Sequence, residues 1–274
     1  MQHRMNRRLF IARFTKGTTA IAALAVIPAA CSTETSTSTT TSAPATTVAP
    51  TSTTAAGVTT TSAPTTTTEA PEGSAAVARV DLGFVSAYIL ARDGEAAIVD
   101  TGVSGSATQI ESGLASLGLG WDNVGHVILT HLHGDHVGSL GEVMAAAAQA
   151  TGYAGTGDAE QITSPRPLTS LNDGDRVFDL DIIATPGHTP GHIAVYDPIG
   201  GTLIAGDALN GGDALNGEPG TVSGANPQFT PDIVSADASI RKLAQLTFER
   251  VYFGHGSPVL VDADEAVVAL AASL

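Results

Sequence analysis

The chain has 274 residues and carries 27 Asp and Glu against 12 Lys and Arg, with 43% hydrophobic residues and a single cysteine. One cysteine excludes an intramolecular disulfide framework and a cysteine-built zinc cage. The surplus of acid opposes binding to phosphate backbones, so nucleic acid is not the expected partner, and it fits the solvated surface of an exported protein.

Five of the twelve cations (Arg4, Arg7, Arg8, Arg13 and Lys16) precede Cys31, and no acid precedes Glu34. Residues 1–31 read as an export signal: a basic start, an apolar run from Ala20 to Ala30, then small residues before Cys31. The run is short of the ~20 residues a membrane span needs. Asn6-Arg7-Arg8-Leu9-Phe10-Ile11 resembles a twin-arginine signal, with an ordinary secretion signal as the alternative. Ala29-Ala30-Cys31-Ser32 resembles the end of a bacterial lipobox, although Pro28 stands where an aliphatic residue is expected. Lipidation of Cys31 would anchor the chain to the outer face of the cytoplasmic membrane; cleavage without lipid would leave it secreted. Residues 32–72 repeat Thr, Ser, Ala and Pro, with Ser and Thr making up about two-thirds of 32–68. That composition buries too little apolar surface to offset its ordering entropy, so a disordered stalk is expected.

A folded domain is expected over 73–274. Val77–Val80, Phe84–Leu90 and Ala96–Val99 read as strands, and Ser104–Leu117 has helical spacing through Ile110, Leu114 and Leu117. Val127–Leu129 reads as a buried strand and Val137–Ala150 as an alanine-rich helix. Strands follow at Val177–Ala184, Ile193–Tyr196, Thr202–Ala205 and Val251–Phe253, with helices at Pro231–Leu246 and Asp262–Ala272. Gly206–Gly211 and Gly212–Gly217 repeat the same six residues, and the stretch from Asn210 to Pro227 reads as a long loop, a lid or an insertion. Strands that dominate first and then alternate with helices suggest helix layers on β-sheets.

Thr130-His131-Leu132-His133-Gly134-Asp135-His136 packs four metal-ligand candidates directly after an apolar strand. Imidazole and carboxylate suit zinc and, less selectively, iron or manganese. Three further apolar segments lead to ligand-type residues beside glycine: Ile182–Gly187 to His188, Leu203–Gly206 to Asp207, and Val251–Gly254 to His255. Seven candidates at four strand ends imply two metals. Such a pair lowers the pKa of a water held between them, and the resulting hydroxide attacks a polarised carbonyl without a serine or cysteine nucleophile.

The HxHxDH cluster, the Thr-Pro-Gly-His-Thr-Pro-Gly-His stretch, the Gly-Asp after a strand and the late Phe-Gly-His-Gly together resemble the metallo-β-lactamase-fold hydrolases. The resemblance spans essentially all of residues 77–274. It implies an α+β fold, a four-layer αββα sandwich with both metals at one edge of two facing sheets. It assigns His131, His133 and His188 to the first metal, and Asp135, His136 and His255 to the second, with Asp207 bridging. Asp135 would also orient the attacking water or take its proton. Asp100 matches an early aspartate that orients a ligand histidine; the alternative is a turn residue capping the next helix. His192 resembles a supporting position, and His126 has no expected site role. Asp213 shares the local letters of Asp207, but only Asp207 follows an apolar strand.

The expected reaction is hydrolysis of an ester, lactone or thioester in a small molecule. The zinc β-lactamases typically have Cys or Ser where Asp207 stands and a nearby basic residue, whereas no Lys or Arg occurs between Arg176 and Arg241. The glyoxalase-II thioesterases share the aspartate bridge but use a basic C-terminal extension, and here fewer than twenty residues follow His255. The acyl-homoserine lactonases carry a Tyr soon after the bridge, where this chain has Ala208 and Leu209. Three other readings stay open: a zinc β-lactamase-like amide hydrolase, a mononuclear iron oxygenase of the persulfide type, and a non-catalytic metal-holding surface lipoprotein.

Overall fold

The computed structural model describes residues 72–274. The export signal, Cys31 and the stalk up to residue 71 lie outside the described residues.

The first sheet starts as a meander of β1 (Ala76–Asp81), β2 (Ser86–Arg92) and β3 (Glu95–Val99), paired antiparallel. Helix α1 (Ala107–Ser116) then carries the chain to β4 (Val124–Leu129), parallel to β3. Helices α2 (Gly134–Val137) and α3 (Leu140–Ala146) follow, then β5 (Thr151–Gly155) and β6 (Thr169–Leu171), giving six strands in sequence order. The second half contributes β7 (Arg176–Val177), β8 (Leu180–Ala184), β9 (Ile193–Asp197) and β10 (Thr202–Ile204). After these come a separate ribbon of β11 (Leu209–Gly211) and β12 (Val222–Gly224), then α4 (Ile233–Leu243), β13 (Arg250–Tyr252) and α5 (Ala263–Ser273). The second sheet runs β13-β10-β9-β8-β7, with β13 parallel to β10.

Alternation along the strands sorts their side chains into three cores. Ile89, Ile98, Val127 and Leu129 pack with Ile110, Leu114 and Met144 beneath α1 and α3. Their neighbours Tyr88, Leu90, Val99 and Ile128 face Leu180, Ile182, Val195 and Ile204 of the other sheet. Ala194, Leu203 and Val251 pack outward onto Ile240 and Leu243 of α4 and Ala263 and Val267 of α5. Three apolar layers separate four structural ones, so the α+β, αββα sandwich stands. Because β3 and β4 run parallel, as do β10 and β13, the carboxyl ends of each pair open at one edge. Cross-sheet bonds from Ser86 N to Gly254 O and from Ile193 N to Thr130 O bring the two sets of ends together.

The single helix expected over Val137–Ala150 is two helices. The first starts earlier, at Gly134, so Asp135 and His136 lie on it. The break falls at Gly138 and Ser139, which hold the turn after β3: Gly138 N donates to Gly102 O and Ser139 Oγ to Val103 O. A Cβ on Gly138 would lie 2.6 Å from Ser104 N, so only glycine admits that approach. The strand expected over Val177–Ala184 is a hairpin, with Phe178 and Asp179 both at φ 56° in its two-residue turn. The stretch 210–227 is not structureless either; it holds most of the β11–β12 ribbon and a 3-10 turn over Gly212–Leu215.

Candidate metal centre

All seven candidate ligands converge at the shared edge of the sheets. His131 follows β4, and His133 stands at the start of α2, whose first turn carries Asp135 and His136. His188 lies between β8 and β9, Asp207 in a 3-10 turn after β10, and His255 after β13. Nδ1 of His133 lies 3.0 Å from His131 Nε2 and 2.9 Å from His188 Nε2. On the other side, Nε2 of His255 lies 3.4 Å from Asp135 Oδ2, and Nε2 of His136 lies 3.9 Å from the same oxygen. Asp207 stands between the groups, its Oδ2 3.3 Å from both His188 Nε2 and His255 Nε2 and its Oδ1 3.4 Å from His136 Nε2.

The surrounding hydrogen bonds fix which ring nitrogen faces inward. Thr130 Oγ1 donates to Asp100 Oδ2 and so accepts from His131 Nδ1, leaving the His131 Nε2 lone pair in the site. Thr230 Oγ1 donates to Asn226 O and so accepts from His188 Nδ1, with the same result. His136 Nδ1 donates to Asp100 Oδ2 at 2.8 Å, and His255 Nδ1 donates to Phe84 O at 2.6 Å. Four imidazoles therefore present Nε2 to one small volume, the arrangement that outer partners impose on metal-ligating histidines.

Asp100 is buried in the left-handed region at φ 62°, and it also accepts from Thr130 N. Its contacts are with His136 and the strand carrying His131, not with the following helix. His192 Nδ1 donates to Thr185 Oγ1 while Nε2 accepts from Asp207 N. Both ring nitrogens are engaged, so this imidazole holds the Asp207 turn and is not free to ligate. His126 packs against Tyr153 and Phe178, away from the cluster. Asp213 lines the cavity outside the cluster, its carboxylate accepting from Ser257 N and Ser257 Oγ.

The electrostatics suit a cation. Burial lowers the His136 pKa, but Asp207, Asp100 and Asp135 more than offset this and raise it to about 9. Burial raises that of Asp207, yet His136, His255 and His188 hold it below the usual carboxylate range. Burial, aided by neighbouring rings, keeps His188 near 4 and His192 near 3, and lowers His131 as well. Among the described residues, His136 Nε2 and Asp207 Oδ1 are buried atoms without a hydrogen-bond partner. Orphaned polar atoms of this kind cost free energy unless something fills the role of the partner. The donor set suits a divalent cation in each of three overlapping groups: His131, His133 and His188; His131, His136 and Asp207; Asp135, His136 and His255.

Glycine is required at the crowded back of the cluster. A Cβ on Gly254 would fall onto Asp207 Oδ1 and the His136 ring, and one on Gly206 (φ +53°) would lie 2.8 Å from His192 Nε2. Sequence reasoning missed Asp158, buried after β5. It accepts from Leu132 N, Thr189 Oγ1 and Gly191 N, tying the loop of His131 and His133 to that of His188. Gly157-Asp158 repeats the Gly-Asp step of 206–207, but β5 is too glycine-rich to read as a strand. Thr130 and Thr230, which set two histidine tautomers, carried no local signal.

The cluster forms the floor of a cavity of about 770 Å³, walled by Phe84, Asn210, Asp213, Leu215, Asn226 and Phe229.

The uncharacterised protein YobT of Bacillus subtilis is 32% identical over 147 residues, covering 46% of this chain and 62% of that protein. A hydroxyacylglutathione hydrolase of Methylobacillus flagellatus is 33% identical, covering 61% of this chain and 60% of the enzyme. The chain thus spans less than two thirds of either curated relative. Among solved structures, TTHA1429 of Thermus thermophilus superposes with a TM-score of 0.56 at 25% identity, covering 73% of this chain and 79% of that one. TTHA1623, in a di-iron-bound form, gives 0.53 at 27% identity over 69% of this chain and 92% of that one. The profile of the metallo-beta-lactamase superfamily matches residues 80–255, and the chain belongs to that superfamily.

Proposed function

We propose that the chain is a dinuclear metal-dependent hydrolase acting on an ester, lactone or thioester carbonyl of a small molecule. The observation that carries this reading is the carboxylate of Asp207, flanked by two groups of inward-facing imidazoles and left with an orphaned oxygen. His131, His133 and His188 would hold one cation and Asp135, His136 and His255 the other, with Asp207 shared. Two divalent cations supply Lewis acidity towards the carbonyl and a water of near-neutral pKa. Zinc suits the nitrogen-rich donor set; the di-iron form of TTHA1623 keeps iron open as the alternative.

The chain's own residues contribute position and proton handling. Asp135 borders the cavity, and the carboxylate oxygen not held by a cation would orient the attacking water or take its proton. His192 and Gly206 fix the Asp207 turn, and Asp100 fixes His136, so the donors need little rearrangement. The hydroxyacylglutathione hydrolases among the relatives support acyl hydrolysis as the reaction class. We also place the domain outside the cytoplasm, on a lipid at Cys31 and a stalk over 32–72. Mass spectrometry of the mature N-terminus tests that; an unmodified, uncleaved Met1 would reject it.

The function is tested on purified protein by elemental analysis alongside a panel of ester, lactone, thioester and β-lactam substrates. Close to two zinc per chain with acyl hydrolysis is the expected result. One iron per chain without hydrolysis would replace it with the oxygenase reading.

A further inference from the structure

The walls of the cavity differ in character from its floor. Phe84 and Phe229 are 63% and 58% exposed, and both line the cavity. Each belongs to a segment that also fixes a histidine of the floor. The carbonyl of Phe84 accepts from His255 Nδ1, and its ring stacks on the His255 ring with 9° between planes. Phe229 precedes Thr230, whose hydroxyl accepts from His188 Nδ1. The turn is closed by bonds from Phe229 N and Thr230 Oγ1 to Asn226 O. Two large apolar side chains are thus held in water at set positions relative to the metal ligands.

Charge completes the picture. The lining contains Asp135, Asp207 and Asp213 and, among the described residues, no Lys or Arg. Arg79 reaches the back of the wall at Gly256 O, but it is engaged by Ser86 Oγ and by Asp81. The lining offers no ammonium or guanidinium to an anion carried away from the reacting carbonyl, and Asp213 would repel one.

We propose that Phe84 and Phe229 are specificity-determining residues, selecting substrates with an apolar acyl portion that bears no negative charge. This deepens the hydrolase reading and rests on it. The test holds the leaving group constant, using the metal-loaded full chain and p-nitrophenyl esters of acetate, hexanoate, 6-sulfohexanoate and 6-trimethylammoniohexanoate. Contact with an apolar wall should raise kcat/KM about tenfold from acetate to hexanoate. The sulfonate ester should fall about tenfold below hexanoate, a gap that narrows with added salt, while the ammonium ester should not fall. Phe84→Ala and Phe229→Ala should each flatten the acetate-to-hexanoate rise, with bound metal per chain as in the unaltered protein, because the backbone carbonyl and Thr230 remain.

A sulfonate ester turned over as well as hexanoate, or a chain-length rise intact in both variants, would overturn the proposal. If none of these esters is hydrolysed, the walls are read apart from the hydrolase reading, by calorimetric titration of the same protein with hexanamide and 6-sulfohexanamide. Preference for hexanamide, lost in the two variants, would uphold the walls' role; equal binding would sink it.

Discussion

Gly206–Gly211 and Gly212–Gly217 have the same six residues in the same order, and the fold puts them to different uses. Both open with a 3-10 turn at Gly-Asp-Ala. The first copy emerges from β10 with its aspartate 5% exposed and aimed among the histidines, and its Leu209-Asn210-Gly211 continues as β11. The second starts from β11, and its aspartate bonds Ser257, two residues beyond His255. Asn216 ends that turn in the left-handed region at φ 65° and reverses the chain, whereas its counterpart Asn210 lies within a strand. Local sequence sets the turn, while what precedes it sets the surroundings. His192 receives the Asp207 amide, and the Ser257 amide donates to the Asp213 carboxylate.

The sharpest way to break this contrast is to remove each carboxylate. Asp207→Ala should lose bound metal and lower activity about a thousandfold, since under the proposed function two cations would lose their shared donor. Asp213→Ala should leave metal content near normal; equal losses, read by elemental analysis, would refute the distinction. Next in size is Asp100→Asn, which disturbs the partner of His136 and should weaken metal affinity by about 10–100-fold. Competition with a chelating dye would measure it.

Acid provides a third lever. In chelated protein the folded-state pKa values of His131, His188 and His192 lie below the ordinary histidine value of 6.5, chiefly through burial. Below about 6.5 the unfolded chain takes up protons that the folded one refuses, so stability should fall as pH drops towards 4. Thermal melts of chelated protein that did not move over that interval would contradict the buried, neutral state of these rings. The smallest effect belongs to Ser257→Ala, which removes one hydroxyl bond to Asp213 and should cost about 1 kcal/mol in a denaturant titration.

What could be read from the chain follows the same division. Apolar runs ending in His or Asp announced the site, because packing alone rarely places a polar ligand at the end of a buried strand. The strands of the sandwich were legible where short apolar runs are bounded by turn residues, as in β2 and β9. Helix α2 was not, because two of its four residues are themselves ligand candidates and it carries no apolar period. The β7–β8 turn was not, because Phe178-Asp179 lacks the Asn-Gly signature of such turns. Asp158 and Thr230 were invisible for a different reason. Each acts on a residue at least 26 positions away, and pairing at that range is set by tertiary packing.

The burial of the cluster has a kinetic consequence. His131 and His136 are closed off from solvent, whereas His133, Asp135 and His255 border the cavity. A cation seated among them would therefore depart through the same mouth by which a ligand arrives. A molecule filling the cavity would stand in that exit, so stripping by a chelator should slow as the cavity fills, and the lifetime of a bound metal would gauge occupancy.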